Sequence, residues 1–321
     1  MSHLKRRKFF LSAALCLGGL FLTILIAALL GSEKLPFFDL TDEQTAILFD
    51  IRLPRILLGA TIGVSLAVAG ASLQSLLRNP LAEPYLLGVS NGAALGTMLA
   101  FIFFAQNEFA RPVMAFAGAN LATFAVYQMA KSRAGMNVER LILSGVIVTT
   151  FLSSILVLLT SLLDVTKLRS FTFWLLGDLS QASKNGFYLT LIVAVLGTIV
   201  LSSQSRALNL MMIGERDAFD FGVEVGKTRL IVFATASALV GISVAAGGSV
   251  GYVGLIVPHL VRLAVGSDNR LVIPFSAIIG GVFVVFADTI ARTAIAPREL
   301  PVGAITALIG APLFIYLLKK N

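Results

Sequence analysis

Apolar runs of about 20 residues dominate the sequence, and this is the length that an α-helix needs to cross the hydrocarbon core of a bilayer. Of the 321 residues, 57% are hydrophobic and 13% are charged, whereas soluble domains carry about 25% charged residues. Because backbone polar groups inside a bilayer must bond to one another, such runs fold as helices. The sequence predicts an all-α polytopic membrane protein of one domain, residues 1–321, with ten transmembrane helices near 9–30, 55–77, 85–105, 112–131, 140–163, 186–205, 229–247, 252–266, 272–292 and 300–318.

The distribution of charge predicts the orientation of these helices. An even number of spans puts both termini on one side, and basic residues cluster at both ends of the chain: Lys5, Arg6, Arg7, Lys8, Lys319 and Lys320. Basic residues collect on the cytoplasmic side of membrane proteins. We therefore expect both termini in the cytoplasm and the protein in the inner (cytoplasmic) membrane. The net charge of +8 follows this rule and does not indicate a nucleic-acid partner.

Two connecting segments are long enough to form structures of their own. Residues 164–184 contain a helix-length apolar stretch with the only tryptophan, Trp174, which predicts an extracytoplasmic helix lying at the membrane interface. Residues 206–228 contain two short helical patches broken at Gly214 and Gly222. This charged cytoplasmic loop has the character of a docking surface.

A faint internal similarity links RILLGATIGVSLAVAG, which starts at Arg55, with RLIVFATASALVGISVAAG, which starts at Arg229. The two stretches open the second and seventh spans, which run in opposite directions across the membrane. Such a relationship is typical of inverted repeats in transporters. Chance similarity between apolar helices is an equally good explanation at this point.

The stretch GVSNG, Gly88–Gly92, matches the G-x-S-x-G pattern of serine hydrolases. That pattern needs a preceding strand, an activating histidine and an orienting acid, and only Ser90 with His259 could supply part of it. The spacing of the glycines favours a packing role, because residues four apart share one helix face and let another backbone approach. We expect two such stripes, made by Gly88, Gly92 and Gly96 in the third span and by Gly59 and Gly63 in the second.

Other motifs argue against catalysis by this chain. GVEVGKT, Gly222–Thr228, has three residues between its glycines where a phosphate-binding loop needs four, so the chain shows no ATPase of its own. One cysteine and two histidines favour neither a disulfide nor a metal site. Asp288 is the carboxylate that lies deepest in an apolar run; pairing with Arg292 is its expected role, although such residues also serve ion-coupled secondary transporters.

Arginines near the predicted outer ends of the spans form a candidate docking site. Arg52 and Arg55 follow the acidic first outer loop, and Arg292 lies at the other end of the chain. If they cluster, their guanidinium groups make an outward basic patch that suits the carboxylates of a partner. Local pairing or anchoring at the membrane interface is the alternative.

Long stretches, in the same order, resemble the FecCD-type permeases, the membrane subunits of binding-protein-dependent ABC importers for iron siderophores, haem and cobalamin. The resemblance covers nearly the whole chain and is carried by IRLPRILLGATIGVSLAVAGASLQSLLRNPLAEPYLLGVSNGAALG, FWLLGDLS, LNLMMIGERDAFDFGV, GYVGLIVPHLVRL, ADTIAR and ELPVGAITALIGAPLF. It implies a dimer with a second copy or a close paralogue, two ATP-binding subunits and a soluble substrate-binding protein. It also implies that ATP and Mg²⁺ are bound by the partner subunits, with no cofactor on this chain.

The resemblance also implies roles for particular residues. Arg52, Arg55 and Arg292 correspond to arginines that receive acidic residues of the binding protein. The coupling helices that fit the ATPase correspond to Leu208, Gly214, Glu215, Arg216, Ala218 and Gly222, and the cytoplasmic gate to Asn79, Pro80, Leu81, Val138 and Glu139. Val138 and Glu139 depart from the small hydroxyl residues of the cobalamin permeases.

Substrates of this family are bulky metal chelates, and their specificity rests largely with the binding protein. We expect uptake of a ferric siderophore, with cobalamin or haem as alternatives carried by the same architecture.

Overall fold

The computed structural model describes residues 3–31, 39, 41–105, 107, 109–132, 135–136, 138–180, 182 and 184–320. Its α-helices are α1 (His3–Leu29), α2 (Asp42–Ala46), α3 (Leu53–Leu76), α4 (Val89–Phe103), α5 (Ala110–Ala130), α6 (Val138–Thr160), α7 (Val165–Leu175), α8 (Lys184–Ser203), α9 (Ser205–Ile213), α10 (Glu215–Asp220), α11 (Val225–Gly247), α12 (Val253–Val265), α13 (Asn269–Thr293) and α14 (Val302–Lys320). A π-helix, Ile47–Arg52, joins α2 to α3, and a 3₁₀ turn, Pro84–Leu87, precedes α4. Two short strands, β1 (Lys131–Ser132) and β2 (Gly135–Met136), pair between α5 and α6.

Each of the ten predicted spans coincides with a helix. Seven helical segments in the described residues are long and apolar enough to cross a membrane, and α4, α12 and the apolar part of α14 are shorter. The predicted all-α membrane fold is confirmed. The helix expected within residues 164–184 is α7, and the coupling loop expected within 206–228 contains α9 and α10.

Helix α3 is the centre of the bundle. Of its membrane-spanning window, 89% is buried, compared with 6% for α1 at the periphery. Small residues make this burial possible, because Gly63 faces the backbone of Gly280 on α13 and Gly70 faces the backbone of Gly254 on α12. A side chain at either position would strike a carbonyl group, so the close crossings depend on glycine.

The bundle has two ends, which we name after Arg55 and Glu215. Arg55 pairs with Asp288 and Glu299, whereas Glu215 pairs with Arg229 and Arg78. Helix α3 therefore runs from the Arg55 end to the Glu215 end, and α11 starts at the Glu215 end and runs the opposite way. The opposite directions predicted for the second and seventh spans are present.

The first and last helices have their free ends on the same side. The last carbonyls of α1 accept hydrogen bonds from Arg52 and Arg292 at the Arg55 end. The turn before α14 contains Glu299, which also lies at this end. Both helices therefore have their free ends toward the Glu215 end, as an even number of spans requires.

Candidate functional site

A buried ionic network holds three segments together at the Arg55 end. Arg55 donates from Nε to Asp288 Oδ1 at 3.0 Å and from Nη1 to Glu299 Oε2 at 2.7 Å. Arg292 donates from Nε to the other oxygen of Asp288, also at 3.0 Å. Asp288 is 1% exposed, so its charge is compensated by two guanidinium groups and not by water. The expected pairing of Asp288 with Arg292 is confirmed.

The remaining donors of this cluster bind the end of α1. Arg52 Nη1 donates to Ala28 O at 3.1 Å, and Arg292 Nη2 donates to Ala27 O at 3.1 Å. The last carbonyls of a helix have no partner within the helix and carry its partial negative charge. Two arginines from different segments therefore cap α1, a helix that has little other burial.

The expectation of an outward basic patch was wrong in its geometry. The three arginines do cluster, but Arg52, Arg55 and Arg292 are only 5%, 7% and 5% exposed. The physical reason is that Asp288, Glu299 and the end of α1 already satisfy their charge and hydrogen bonds. A role in docking a binding protein stays a prediction.

The coupling segment, which comprises residues 206–228, forms a compact unit at the Glu215 end. Leu208 of α9 and Ala218 of α10 are fully buried, whereas Arg216 lies exposed between them in the sequence. Gly214 joins the two helices in an extended conformation, and Gly222 adopts a φ of +81°, which favours glycine. The two predicted breaks at glycine are present.

Glu215 ties this unit to the transmembrane helices. Its Oε1 accepts a hydrogen bond from Arg229 of α11 at 2.6 Å and lies 3.4 Å from Arg78 Nη2 at the end of α3. On the other side, Asn209 of α9 donates to Asp268 at 2.6 Å and accepts from Asn269 at the start of α13. Glu215 and Asn209 thus anchor the unit to three core helices, so it can move with them as a rigid body.

The residues predicted for the gate lie in two places, Asn79 to Leu81 just after α3, and Val138 and Glu139 at the start of α6. Asn79 accepts a hydrogen bond from Leu81 N through its side chain, at 2.9 Å, which fixes a tight turn that includes Pro80. Leu81 is 45% exposed. Glu139 lies exposed in the first turn of α6; Val138 begins that helix, and its side chain is outside the described residues. A gating role for these positions stays a prediction.

Two irregular segments meet where α4 and α12 begin. Tyr85 Oη accepts from Val250 N at 3.0 Å and donates to Val250 O at 3.1 Å, and Glu83 accepts from Tyr252 N at 3.1 Å. Burial raises the pKa of Glu83. These contacts pin the loop after α3 to the break between α11 and α12. Glu83 was not among the residues predicted from the sequence, although it is a lone acid between two prolines in an apolar region.

Three glycines of the expected stripes, Gly63, Gly92 and Gly96, lie against the backbone of another helix, whereas Gly59 and Gly88 do not. A side chain at Gly92 would strike Gly118 O and Ala122 of α5, and one at Gly96 would strike Met114 O. Gly63 meets the backbone of α13, whereas Gly59 faces only the side chains of Leu179 and Val284. Gly88 is not part of the stripe: it precedes α4 with a φ of +76°, so it is required by backbone conformation.

Among the described residues, the serine of GVSNG hydrogen-bonds another serine through its side chain and bonds no histidine or carboxylate. Ser90 Oγ donates to Ser249 Oγ at 3.3 Å, and Asn91 bonds Thr149 and Ser153 of α6. The ring of His259 lies 6.4 Å from that of Phe314. Within the described residues, no group of three metal-binding side chains occurs. Asn91 thus bonds across helices to α6, whereas Ser90 bonds the segment between α11 and α12.

Comparison with known proteins agrees with this architecture. The model of the FecCD transport family matches residues 19–320. The chain belongs to this family. A cobalamin import permease, BtuC of Halobacterium salinarum, is 44% identical over 88% of this chain and 76% of its own length. The hemin transport permease HmuU of Yersinia pestis is 37% identical over 96% of both chains.

A solved structure gives the same result for the fold. An inward-facing metal-chelate type ABC transporter superposes with a TM-score of 0.88 at 32% identity, covering 98% of this chain and all of the other. This FecCD family chain is thus the permease of an ABC importer for metal chelates. Its family consists of permease subunits, which are not themselves enzymes.

Proposed function

We propose that this chain is one permease half of an inner-membrane importer for a ferric siderophore. In this arrangement the Glu215 end and both termini face the cytoplasm, and the Arg55 end faces outward. Two copies, or one copy and a close paralogue, enclose the path, two partner subunits bind ATP and Mg²⁺, and a soluble protein delivers the chelate. The relatives named for cobalamin and hemin support those two chelates as alternative cargoes.

One observation carries this proposal: the coupling segment is anchored on one side and apolar on the other. Ile213, Phe219 and Phe221 are 74%, 72% and 69% exposed. An exposed apolar group at the polar end of a membrane protein indicates a surface that another protein covers. The Glu215 and Asn209 anchors connect this surface to α3, α11 and α13, which fits a unit that transmits rigid-body motion from an ATPase.

The experiment compares two exposed phenylalanines at opposite ends of the bundle. Phe219→Ser should weaken co-purification of the ATP-binding partner subunits, because Phe219 lies on the proposed contact surface. Phe103→Ser, which alters a residue that is 71% exposed at the end of α4, should leave co-purification unchanged. Equal effects of both substitutions would contradict the assignment of this surface.

A further inference from the structure

Two adjoining cavities open at the Arg55 end, between α4, α5, α7 and α8. One has a volume of about 360 Å³ and the other about 250 Å³, and both are lined by Arg111, Trp174 and Asp178. The larger also includes Phe101, Arg169 and Phe173. We call the two cavities together the Trp174 pocket.

The two arginines of the pocket are held differently from Arg55 and Arg292. Within the described part of the chain, neither Arg111 nor Arg169 has a carboxylate oxygen within 4.0 Å of its guanidinium group. Each instead lies over an aromatic ring, Arg111 at 5.6 Å from the centre of Phe101 and Arg169 at 5.9 Å from that of Phe173. Contact through the flat face leaves the N–H groups at the edge of each guanidinium able to donate.

An aromatic wall fixes the positions of these groups. Phe171, which is 3% exposed, lies edge-on to Phe101 at 6.4 Å and is stacked with Trp174 at 6.3 Å. Ring pairs at these distances and angles are favourable beyond the area that they bury. The pocket therefore presents a preformed flat apolar surface beside two cationic groups.

The third charged group is held by the backbone. Asp178 accepts from Ser180 N at 2.8 Å through its side chain, and its own N–H donates to Gly247 O at 2.9 Å. Among the described lining residues, its charge offsets only one of the two arginines, so this part of the lining carries an excess of positive charge. A pocket of this kind combines recognition of an anion with recognition of an aromatic ring.

We propose that the Trp174 pocket binds an anionic aromatic arm of a metal chelate, such as a catecholate. This inference rests on the proposed import function and narrows its substrate class to chelates with a negative charge. Guanidinium groups pair with the oxygen atoms of such an arm, and the ring of the arm stacks on the aromatic wall. Neutral and cationic chelates have no net negative charge to strengthen the first of these interactions.

A lipid phosphate is the other anion that could reach this site, since arginine and tryptophan are common at membrane interfaces. The test therefore measures binding of the chelate first in membranes that contain no anionic lipid. The full-length permease is placed in phosphatidylcholine nanodiscs without ATPase or binding protein. Trp174 is the only tryptophan of the chain, so its fluorescence reports on the pocket alone.

Three probes are titrated: ferric enterobactin, an anion with catecholate arms; cyanocobalamin, which is neutral overall; and ferrioxamine B, a cation. Free N-acetyltryptophanamide corrects each titration for absorption by the probe. We expect saturable quenching by ferric enterobactin, and at least tenfold weaker quenching by the other two. Equal quenching by all three, or no saturable quenching by ferric enterobactin, overturns the inference.

Variants identify the groups responsible. Arg111→Gln and Arg169→Gln should each weaken binding of ferric enterobactin by about tenfold, and the lysine substitutions should retain part of it. Arg298→Gln, which changes an exposed arginine outside the pocket, should have no effect. Unchanged affinity in the two pocket variants overturns the inference, with a size-exclusion profile confirming that each is folded.

Lipid is then tested directly by adding phosphatidylglycerol to the nanodiscs. A Trp174 response to this lipid that ferric enterobactin cannot displace would assign the pocket to lipid and overturn the inference. Because no ATPase is present, failure of this experiment leaves the import function itself intact. Conversely, a permease whose Trp174 fluorescence is quenched by ferric enterobactin, but which shows no ATP-driven uptake with its partner subunits, would contradict the import function and not the pocket.

Discussion

The guanidinium group of Arg55 lies 3.0 Å from the carboxylate of Asp288, and the two residues are 233 positions apart in the sequence. This pair joins the central helix α3 to α13, and through Arg292 it reaches the end of α1. Removing one member of a buried ionic network strongly destabilises a protein, because the charges that remain are buried without a counter-ion.

We therefore predict that Asp288→Asn strongly destabilises the bundle. Two arginines would lose their buried counter-ion, at a cost of about 3–5 kcal/mol. The measurement is the thermal unfolding midpoint of the purified protein in detergent. Asp50→Asn is the matched control, because Asp50 pairs with Lys184 at 2.7 Å while both side chains are 59% exposed, and exposed pairs contribute about 0–1 kcal/mol. Similar shifts in the two variants would contradict a structural role for the Asp288 network.

Glycine substitutions should separate packed faces from faces that contact lipid. Gly92→Leu places a side chain against the backbone of Gly118 and the methyl group of Ala122, so α4 and α5 must move apart. A Cβ atom added at Gly18 in α1 would have no atom within 4 Å, so Gly18→Leu should be tolerated. We expect the yield of folded protein to fall in the first variant only.

Ser90→Ala distinguishes the packing interpretation from catalysis. It removes one 3.3 Å hydrogen bond to Ser249, and we expect a change of about 1 kcal/mol or less. Uptake should remain close to that of the unmodified protein. Loss of uptake with Ser90→Ala, together with tolerance of Gly92→Leu, would reverse our interpretation of GVSNG.

Stability should depend on pH through Glu83. Because burial raises its pKa in the folded state above the ordinary value of 4.5, the folded protein holds this proton more tightly than the unfolded chain does. The stability that Glu83 contributes is fully present below about pH 4.5. It is lost as the pH rises through the higher pKa of the folded state. Glu83→Gln keeps an acceptor for Tyr252 N and cannot ionise, so it should gain stability relative to the unmodified protein as the pH rises from 4.5.

The corresponding control is Glu224→Gln, which changes a carboxylate exposed to solvent. Unfolding midpoints measured between pH 4 and pH 8 should give parallel curves for this variant and the unmodified protein. Parallel curves for Glu83→Gln as well would show that Glu83 does not carry the predicted dependence.

The positions of the helices could be predicted because the signal is local. Apolar runs predicted a helix at each of ten places where the structure has one, and a spacing of four predicted that Gly92 and Gly96 share a packed face, which contacts α5. Gly88 fits the same spacing, yet its backbone angle gives it a different role. Spacing cannot show where a helix begins to within one residue.

The arginine cluster could not be predicted in the same way. Its geometry depends on Asp288, on Glu299 and on the last carbonyls of α1, three elements brought together only by the fold. The sequence offered clustering of these arginines as one of two alternatives, and the structure brings them together at one end of the bundle. Whether they face outward or inward is decided by partners that are distant in the sequence.

The central claim is that this chain carries a metal chelate in response to ATP hydrolysis on partner subunits. The most direct measurement is uptake of iron-59-labelled ferric enterobactin into proteoliposomes that contain the permease, its ATP-binding subunits and internal ATP, with the binding protein outside. We predict accumulation that stops when ATP is replaced by a non-hydrolysable analogue and when Glu215→Ala removes the acceptor for Arg229. Accumulation that continues without ATP, and is driven instead by an ion gradient, would contradict the account.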